Sequence, residues 1–342
     1  MKILHILPEL QLGGVERHVI DLSNELACRG EDVLVLSAGG QMESQLDGCV
    51  QRRHLPVHRK NPLVGYYCAR KIAQWIREEG WQIIHAHSRV PAWIARWASK
   101  MAHVPYVVTA HVDFGNKSPW IYAPYREANR VICVSSAVKE AMKNCFYENT
   151  TVVINGLDQP AEFWDSSNKG RHKLLFVGRL SSVKGLQDVL KVLPLDLEWT
   201  LDVLGDGPQK EEWRSICKER GIANKVIFHG YSDQVDHFMA HSSCLLFPSY
   251  TEGMPLTLAR AIQIGIPVMA SNIAPVAEMK GNSSGLLPVG DLRIWEKELR
   301  DFLTFDKTPE AFPLTAVPTL ASMIDQIFAV YERSLEDFSR GK

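Results

Sequence analysis

Three short segments of this chain join glycine to charge in ways that suit an anionic ligand. The first is Phe176-Val177-Gly178-Arg179-Leu180-Ser181-Ser182-Val183-Lys184-Gly185, where an apolar run ends in an arginine and, five residues on, a lysine. Two cations so placed can neutralise a diphosphate. The same spacing also fits an ordinary solvated loop. The second runs from Phe247 through Glu252-Gly253-Met254-Pro255-Leu256 to Ile262. Its Glu252 can accept two sugar hydroxyls, Gly253 permits close backbone approach, and Pro255 suits the first position of a helix. The free N–H groups behind that proline would face phosphate or sugar oxygens. Arg260 follows on the same helix, apolar on most faces, so its charge needs a partner, either a ligand or a structural acid. The third is Leu12-Gly13-Gly14-Val15, which either brings backbone N–H groups to an anion or makes a tight turn. It is no dinucleotide fingerprint, since Gly-x-Gly-x-x-Gly is absent and the second strand ends in Leu36-Ser37 without an acid.

Two further patterns carry weaker chemistry. In His85-Ala86-His87-Ser88-Arg89, strand alternation puts both imidazoles on one face. Metal binding would need a third ligand, and none lies near in sequence, so no metal site is expected. Lining a ligand site, with His87 or Arg89 turned to an acceptor, is the other reading. The stretch 52–79 is basic, with Arg52, Arg53, Arg59, Lys60, Arg70, Lys71 and Arg77 against Glu78 and Glu79. Tyr66, Tyr67 and Trp75 are interleaved there. Such a face suits an anionic lipid headgroup or a phosphorylated glycolipid, or is simply solvated.

These segments must be positioned by something regular, and the pattern supplies it. Short apolar runs at 3–7, 33–37, 82–85, 106–109, 131–134 and 152–154 read as buried strands. A helix over 15–28 separates the first two, with Val15, Val19, Leu22 and Leu26 on one face. Residues 157–171 lack periodicity and read as a linker. The alternation then resumes, with strands at 174–177, 200–204, 226–228, 244–247 and 267–270. Helices are expected near 187–193, 209–219, 235–240 and 256–264. The expected fold is α/β: two Rossmann-like, doubly wound parallel-sheet domains, residues 1–160 and 171–310, facing across a cleft. A last helix within 318–342 is expected to return to the first domain. In such sheets ligands sit beyond the carboxyl ends of the strands, where the three glycine segments fall.

Composition removes several classes. The 342 residues carry 38 Lys+Arg against 39 Asp+Glu, a net charge of −1, which speaks against a broadly basic nucleic-acid binder. A hydrophobic share of 46% is ample for buried cores. Seven scattered cysteines without Cys-x-x-Cys suggest reduced thiols, and no run is long enough to span a membrane. A cytoplasmic location is therefore expected, with peripheral contact at the inner face of a membrane.

The series of motifs resembles the nucleotide-sugar glycosyltransferases of the GT-B fold, glycosyltransferase family 4. The matching pieces are Gly13-Gly14, Val107-Val108-Thr109-Ala110-His111, Cys133-Val134-Ser135-Ser136, Ile154-Asn155-Gly156-Leu157-Asp158 and Phe176-Val177-Gly178-Arg179 with Lys184-Gly185. Leu204-Gly205-Asp206-Gly207-Pro208 and Glu252-Gly253-Met254-Pro255, followed by Gly265-Ile266-Pro267-Val268, complete the series. The resemblance implies that Gly178, Arg179 and Lys184 hold the donor diphosphate and stabilise the leaving nucleotide. It implies that Glu252 binds donor-sugar hydroxyls, and that Gly253, Met254, Pro255 and Leu256 touch sugar and phosphate. His111 would lie beside the transferred sugar, and Gly13 and Gly14 between donor phosphate and acceptor.

Arg260 departs from the family motif, which has a second glutamate there for the ribose hydroxyls. Either the ribose is held otherwise, the nucleotide differs, or Arg260 contacts the diphosphate. The chain has no Asp-x-Asp, so no metal or other cofactor is expected beside the nucleotide sugar. The implied activity is retaining, metal-independent transfer from a nucleotide-diphosphate donor, a UDP-sugar, to a growing glycan or glycolipid of bacterial surface polysaccharide or lipopolysaccharide. A 2-epimerase of the same fold and a non-catalytic partner protein are the alternatives.

Overall fold

The structure, a computed structural model, describes residues 1–112, 119–145, 149–282 and 284–341. The chain divides into two compact units, Met1–Gly156 with Pro318–Lys342, and Leu157–Val317.

The first unit alternates strand and helix: β1 (Lys2–Ile6), α1 (Gly14–Cys28), β2 (Asp32–Ser37), β3 (Gln51–His54), α2 (Pro62–Glu79), β4 (Ile83–His87) and α3 (Arg89–Ala102). It continues with β5 (Tyr106–Ala110), α4 (Ala123–Arg126), β6 (Arg130–Cys133), α5 (Ser136–Ala141) and β7 (Thr150–Val152). The strands form one parallel sheet in the order β3-β2-β1-β4-β5-β6-β7. On one side, Ile3, Val33, Val35, Ile83, Val107 and Ile132 pack against Val19, Leu22 and Leu26 of α1.

β3 was not among the expected strands. Gln51-Arg52-Arg53-His54 is polar throughout and mostly exposed, because it is an edge strand held by backbone pairing to β2 without a buried face. The basic stretch is mainly the helix α2. Asn61 caps it by accepting from the Leu63 N–H, Pro62 opens it, and Gly80 closes it with a left-handed backbone at φ 77°.

The second unit holds β8 (Lys173–Val177), α6 (Leu186–Val192), β9 (Thr200–Leu204), α7 (Lys210–Glu219), β10 (Val226–Gly230) and α8 (Val235–Ala240). β11 (Cys244–Phe247), α9 (Leu256–Ile264), β12 (Val268–Ala270), α10 (Ala274–Lys280) and α11 (Leu292–Phe305) follow. Its sheet is also parallel, in the order β10-β9-β8-β11-β12. One face packs Leu174, Phe176, Leu201 and Val203 against Trp213 of α7 and Trp295, Leu299 and Phe302 of α11.

The segment expected as a linker is bound along this unit instead. The Trp164 N–H donates to the Ile264 carbonyl, its indole N–H to the Ser242 carbonyl, and the buried Asn168 amide to the Ala240 carbonyl. Backbone-directed polar contacts of this kind leave no apolar period, which is why the stretch looks structureless in sequence.

The last helix, α12 (Leu320–Ser339), belongs to the first unit. Thr319 caps it, accepting from the Ser322 N–H, and its Met323, Ile324, Ile327, Val330 and Tyr331 complete the core over β1, β4 and β5. Gly156 meets its start so closely that a Cβ there would overlap the Thr319 carbonyl. Among the described residues no helix is long and apolar enough to cross a membrane. No disulfide forms among them: Cys68, Cys133, Cys217 and Cys244 are buried thiols, while Cys28 and Cys49 are exposed.

Candidate active site

Strand order reverses between β1 and β4 in the first unit and between β8 and β11 in the second. A crevice opens at such a switch point because the flanking connections leave to opposite sides. In the second unit the loops leaving β8 and β11 carry the two charged motifs. Lys184 and Glu252 meet there, Nζ donating to Oε1 at 2.6 Å, with side chains 22% and 12% exposed. Arg179 is exposed just after β8 and forms no ion pair among the described residues. The loops are locked together by backbone: Tyr250 N–H donates to the Val183 carbonyl at 2.8 Å. Gly185 adopts φ 72°, and a Cβ there would overlap the Pro248 carbonyl, so only glycine fits. The Tyr250 hydroxyl donates to Asp188 on α6, which pushes the phenol up to about 12.

Gly253, Met254 and Pro255 are buried beside Glu252 and lead into α9. Pro255 stands one position earlier than expected, as the cap residue, and supplies no side-chain hydrogen bond. The N–H groups of Leu256 and the two residues after it therefore lack acceptors within the helix and can meet an anion.

Arg260 does not turn toward Lys184 and Glu252 by way of any ion pair. Its guanidinium donates to the Asp158 carboxylate and, at 3.0 Å, to the Asp158 carbonyl, and lies 3.4 Å from Asp236 of α8. Asp236 also accepts from the Ala161 N–H at 2.9 Å. The arginine thus ties the first residues of the second unit to α8 and α9, the structural-acid alternative named above.

In the first unit, α1 begins at Gly14 with Gly13 as its cap residue and no side-chain hydrogen bond. Gly13 has an extended backbone at φ 179°, so a left-handed turn does not require it. A Cβ there would meet only the end of the Glu16 side chain, which can swing aside, so space does not require glycine either.

Toward the carboxyl ends of β1, β4 and β5 the structure gathers five buried histidines. His5 pairs in register with His85, and His87 and His111 follow on the same side, with His18 reaching in from α1. His87 is 3.2 Å from Nδ1 of His5 through Nε2, and 3.1 Å from Nε2 of His111 through Nδ1. His85 contacts the Tyr331 hydroxyl at 2.6 Å and Thr109 at 2.7 Å. Burial is the main cause that holds His5 down to about 3 and His18 to about 4, with Asn155 opposing the latter shift. His85, His87 and His111 are held well below the usual histidine range, again first by burial. All five are neutral at pH 7. Ser88, directly after His87, has φ 84°, a strained backbone for a residue with a side chain. Sequence showed the His85–His87 pair and His111 separately. His5 and His18 were missed, since only the register of β1 on β4 and the pitch of α1 bring them in.

Three of the seven basic residues of the stretch 52–79, Arg52, Arg53 and Arg77, bond within the protein, Arg52 donating to the Leu46 carbonyl. Arg53 donates two parallel hydrogen bonds to the Glu79 carboxylate and stacks on Trp75, while Arg77 donates to the Met101 carbonyl. Arg59, Lys60 and Arg70 stay exposed near Leu63, Tyr66 and Tyr67, the last three being 81%, 50% and 52% exposed.

These features define a class: two parallel α/β units, each with its motif residues at a sheet switch point. The family profile described as Glycosyltransferase Family 4 matches residues 12–159, and that described as Glycosyl transferases group 1 matches residues 158–312. The chain belongs to the GT-B glycosyltransferases of the family 4 type. An uncharacterized glycosyltransferase of Haemophilus influenzae is 25% identical over 281 residues, covering 77% of this chain and 78% of its own. An Escherichia coli relative is named UDP-Gal:alpha-D-GlcNAc-diphosphoundecaprenol alpha-1,3-galactosyltransferase. It is 24% identical over 315 residues, 80% of each chain. Among solved structures, a Rickettsia africae glycosyltransferase superposes with a TM-score of 0.82 at 20% identity, over 98% of each chain. The Anabaena HepE protein, crystallised with UDP and glucose, gives 0.77 at 19% identity, over 99% of this chain and 100% of its own.

Proposed function

We propose that this chain is a retaining, metal-independent glycosyltransferase that moves a sugar from a UDP-sugar to a growing glycan or glycolipid of bacterial surface polysaccharide. The observation that carries the reading is the Lys184–Glu252 pair at the β8/β11 switch point, beside the uncapped start of α9. In this reading Arg179, Lys184 and the α9 N–H groups hold the diphosphate, and Glu252 accepts from the sugar hydroxyls while fixing Lys184. The bond from sugar C1 to the phosphate oxygen breaks, and its electron pair leaves with the nucleotide. Cations and helix N–H groups stabilise the developing charge. The acceptor hydroxyl attacks C1 from the same face and gives its proton to the departing phosphate, so configuration is kept. His111, with Nε2 turned to His87, has Nδ1 left for the sugar or acceptor. Gly13 and Gly14 open α1 of the first unit, whose backbone N–H groups suit an oxygen of the acceptor. Gly178 clears the backbone beside it.

Support for the donor and for a lipid diphosphate acceptor comes from the names of the relatives in Escherichia coli and Anabaena. The exposed Leu63, Tyr66 and Tyr67 beside Arg59, Lys60 and Arg70 suit peripheral contact with anionic lipid. A thermal-shift screen of UDP-, GDP-, ADP- and CMP-sugars tests the donor, with stabilisation expected from UDP compounds. NMR of the product's anomeric proton tests retention. An inverted product, or UDP-sugar transfer that requires added Mg²⁺, would overturn the corresponding part of the proposal.

A further inference from the structure

The histidine cluster of the first unit holds more imidazoles than the transfer reaction uses. One nitrogen each from His18, His87 and His111 lie within 4.8 Å of one another, and all three residues are buried. His5, His85 and His87 form a second such group. There, however, both His85 nitrogens are already taken by Tyr331 and Thr109.

We propose that His18, His87 and His111 form a binding site for a transition-metal ion of the zinc class, with an open fourth position.

Three observations carry it. Among the described residues neither ring nitrogen of His18 makes a hydrogen bond of good geometry, Asn155 lying close without forming one, although the residue is only 3% exposed. A buried neutral imidazole must carry one N–H and one lone pair, and leaving both unused is costly. A metal ion would take up the lone pair. Next, His87 Nδ1 and His111 Nε2 stand 3.1 Å apart, close to the ~3.4 Å edge of a tetrahedron with zinc–nitrogen bonds of about 2 Å. Last, an outer contact is in place: His87 Nε2 faces His5 Nδ1 at 3.2 Å, so Nε2–H can donate there while Nδ1 ligates.

Three neutral imidazoles select Zn²⁺, Co²⁺, Ni²⁺ or Cu²⁺ over Mg²⁺ and Ca²⁺. The inference therefore concerns a different ion and different residues from those that meet a diphosphate. Its three ligands come from α1, β4 and the end of β5, so sequence spacing could not reveal them.

The test uses the full chain, stripped with a chelator that is then dialysed away. Glu162, His237 and His241 form a third, mostly exposed group of possible ligands, so titrations are run in a His241→Ala background. Zn²⁺ titration by calorimetry is expected to show one ion per chain, and Co²⁺ the intense visible bands of tetrahedral coordination. His18→Ala should abolish both, and His5→Ala should weaken Zn²⁺ binding by about 10- to 100-fold. His18→Ala serves as the main variant because it breaks no hydrogen bond of good geometry among the described residues, and circular dichroism checks its fold. Zn²⁺ should raise the melting temperature of the His241→Ala protein and leave the His18→Ala/His241→Ala protein unmoved. No Zn²⁺ binding in the His241→Ala protein, binding that survives His18→Ala, or a weak octahedral Co²⁺ spectrum would each overturn the site.

Discussion

Lys184 and Glu252 are each other's only close counter-charge in the proposed donor pocket of the second unit among the described ion pairs. Removing the lysine leaves a carboxylate, 12% exposed, that would repel an incoming diphosphate. Lys184→Ala is therefore expected to weaken UDP binding more than Arg179→Ala does, the latter by roughly 1.5–3 kcal/mol, about 10- to 100-fold. Calorimetric titration with UDP measures both, and unchanged affinity in either variant removes that residue from the diphosphate. Arg260 calls for the opposite experiment. Its position in the motif suggests that glutamate would restore a ribose ligand, but the structure surrounds it with Asp158 and Asp236. Arg260→Glu would put a third acid among two, so it should lower stability more than Arg260→Ala and gain no nucleotide affinity. Denaturant melts and the same titration decide this. The motif residues were legible because glycine and charge after an apolar run have few other uses. The partners of Arg260 were not, because Asp158 is 102 residues away in the chain.

At the scale of elements, the strands β9 and β11 and the helices α8 and α9 fall on the bounds their patterns suggest. Each is a buried run or an amphipathic turn closed by a clear stop, such as Gly265 at φ 88° after α9. β3 escaped because an edge strand needs no buried face, and α2 because its buried stripe is largely small residues, Gly65, Cys68, Ala69 and Ala73, with only Ile72 and Ile76 strongly apolar. The β8–α6 loop depends on one position. Gly185→Ala forces a left-handed backbone on alanine and drives its Cβ into the Pro248 carbonyl. A loss of about 1–3 kcal/mol of stability is expected, together with weaker UDP binding, since the Lys184 and Glu252 loops would part. A Gly185→Ala protein with unaltered melting and affinity would show that the loops tolerate separation.

For the molecule as a whole, the buried histidines set an acid limit. Unfolded histidine titrates near pH 6.5. In the folded chain His5 stays neutral down to about 3 and His18 to about 4, with His85, His87 and His111 also lowered. Below pH ~6.5 the unfolded state binds protons that the folded state refuses, so stability is full above that pH and is lost as pH falls toward 4. Each such group contributes up to about 1.4 kcal/mol per pH unit. Urea midpoints between pH 7.5 and 5 should drop steeply, and His18→Asn should flatten the slope. A pH-independent midpoint would mean that the cluster protonates without unfolding. The cluster itself was only partly visible beforehand, because its members are brought together by strand register across 106 residues of chain, from His5 to His111.

The near-contact of Gly156 with Thr319 has a further consequence, for the order of events at the ribosome. The chain leaves the first unit and re-enters it at touching points, so the second unit is an insertion and not a successor. During synthesis the first unit waits without Met323, Ile327 and Tyr331 until all of residues 157–317 have been made. The later-made unit is the one free to finish first, and the earlier-made one is closed by the last helix described.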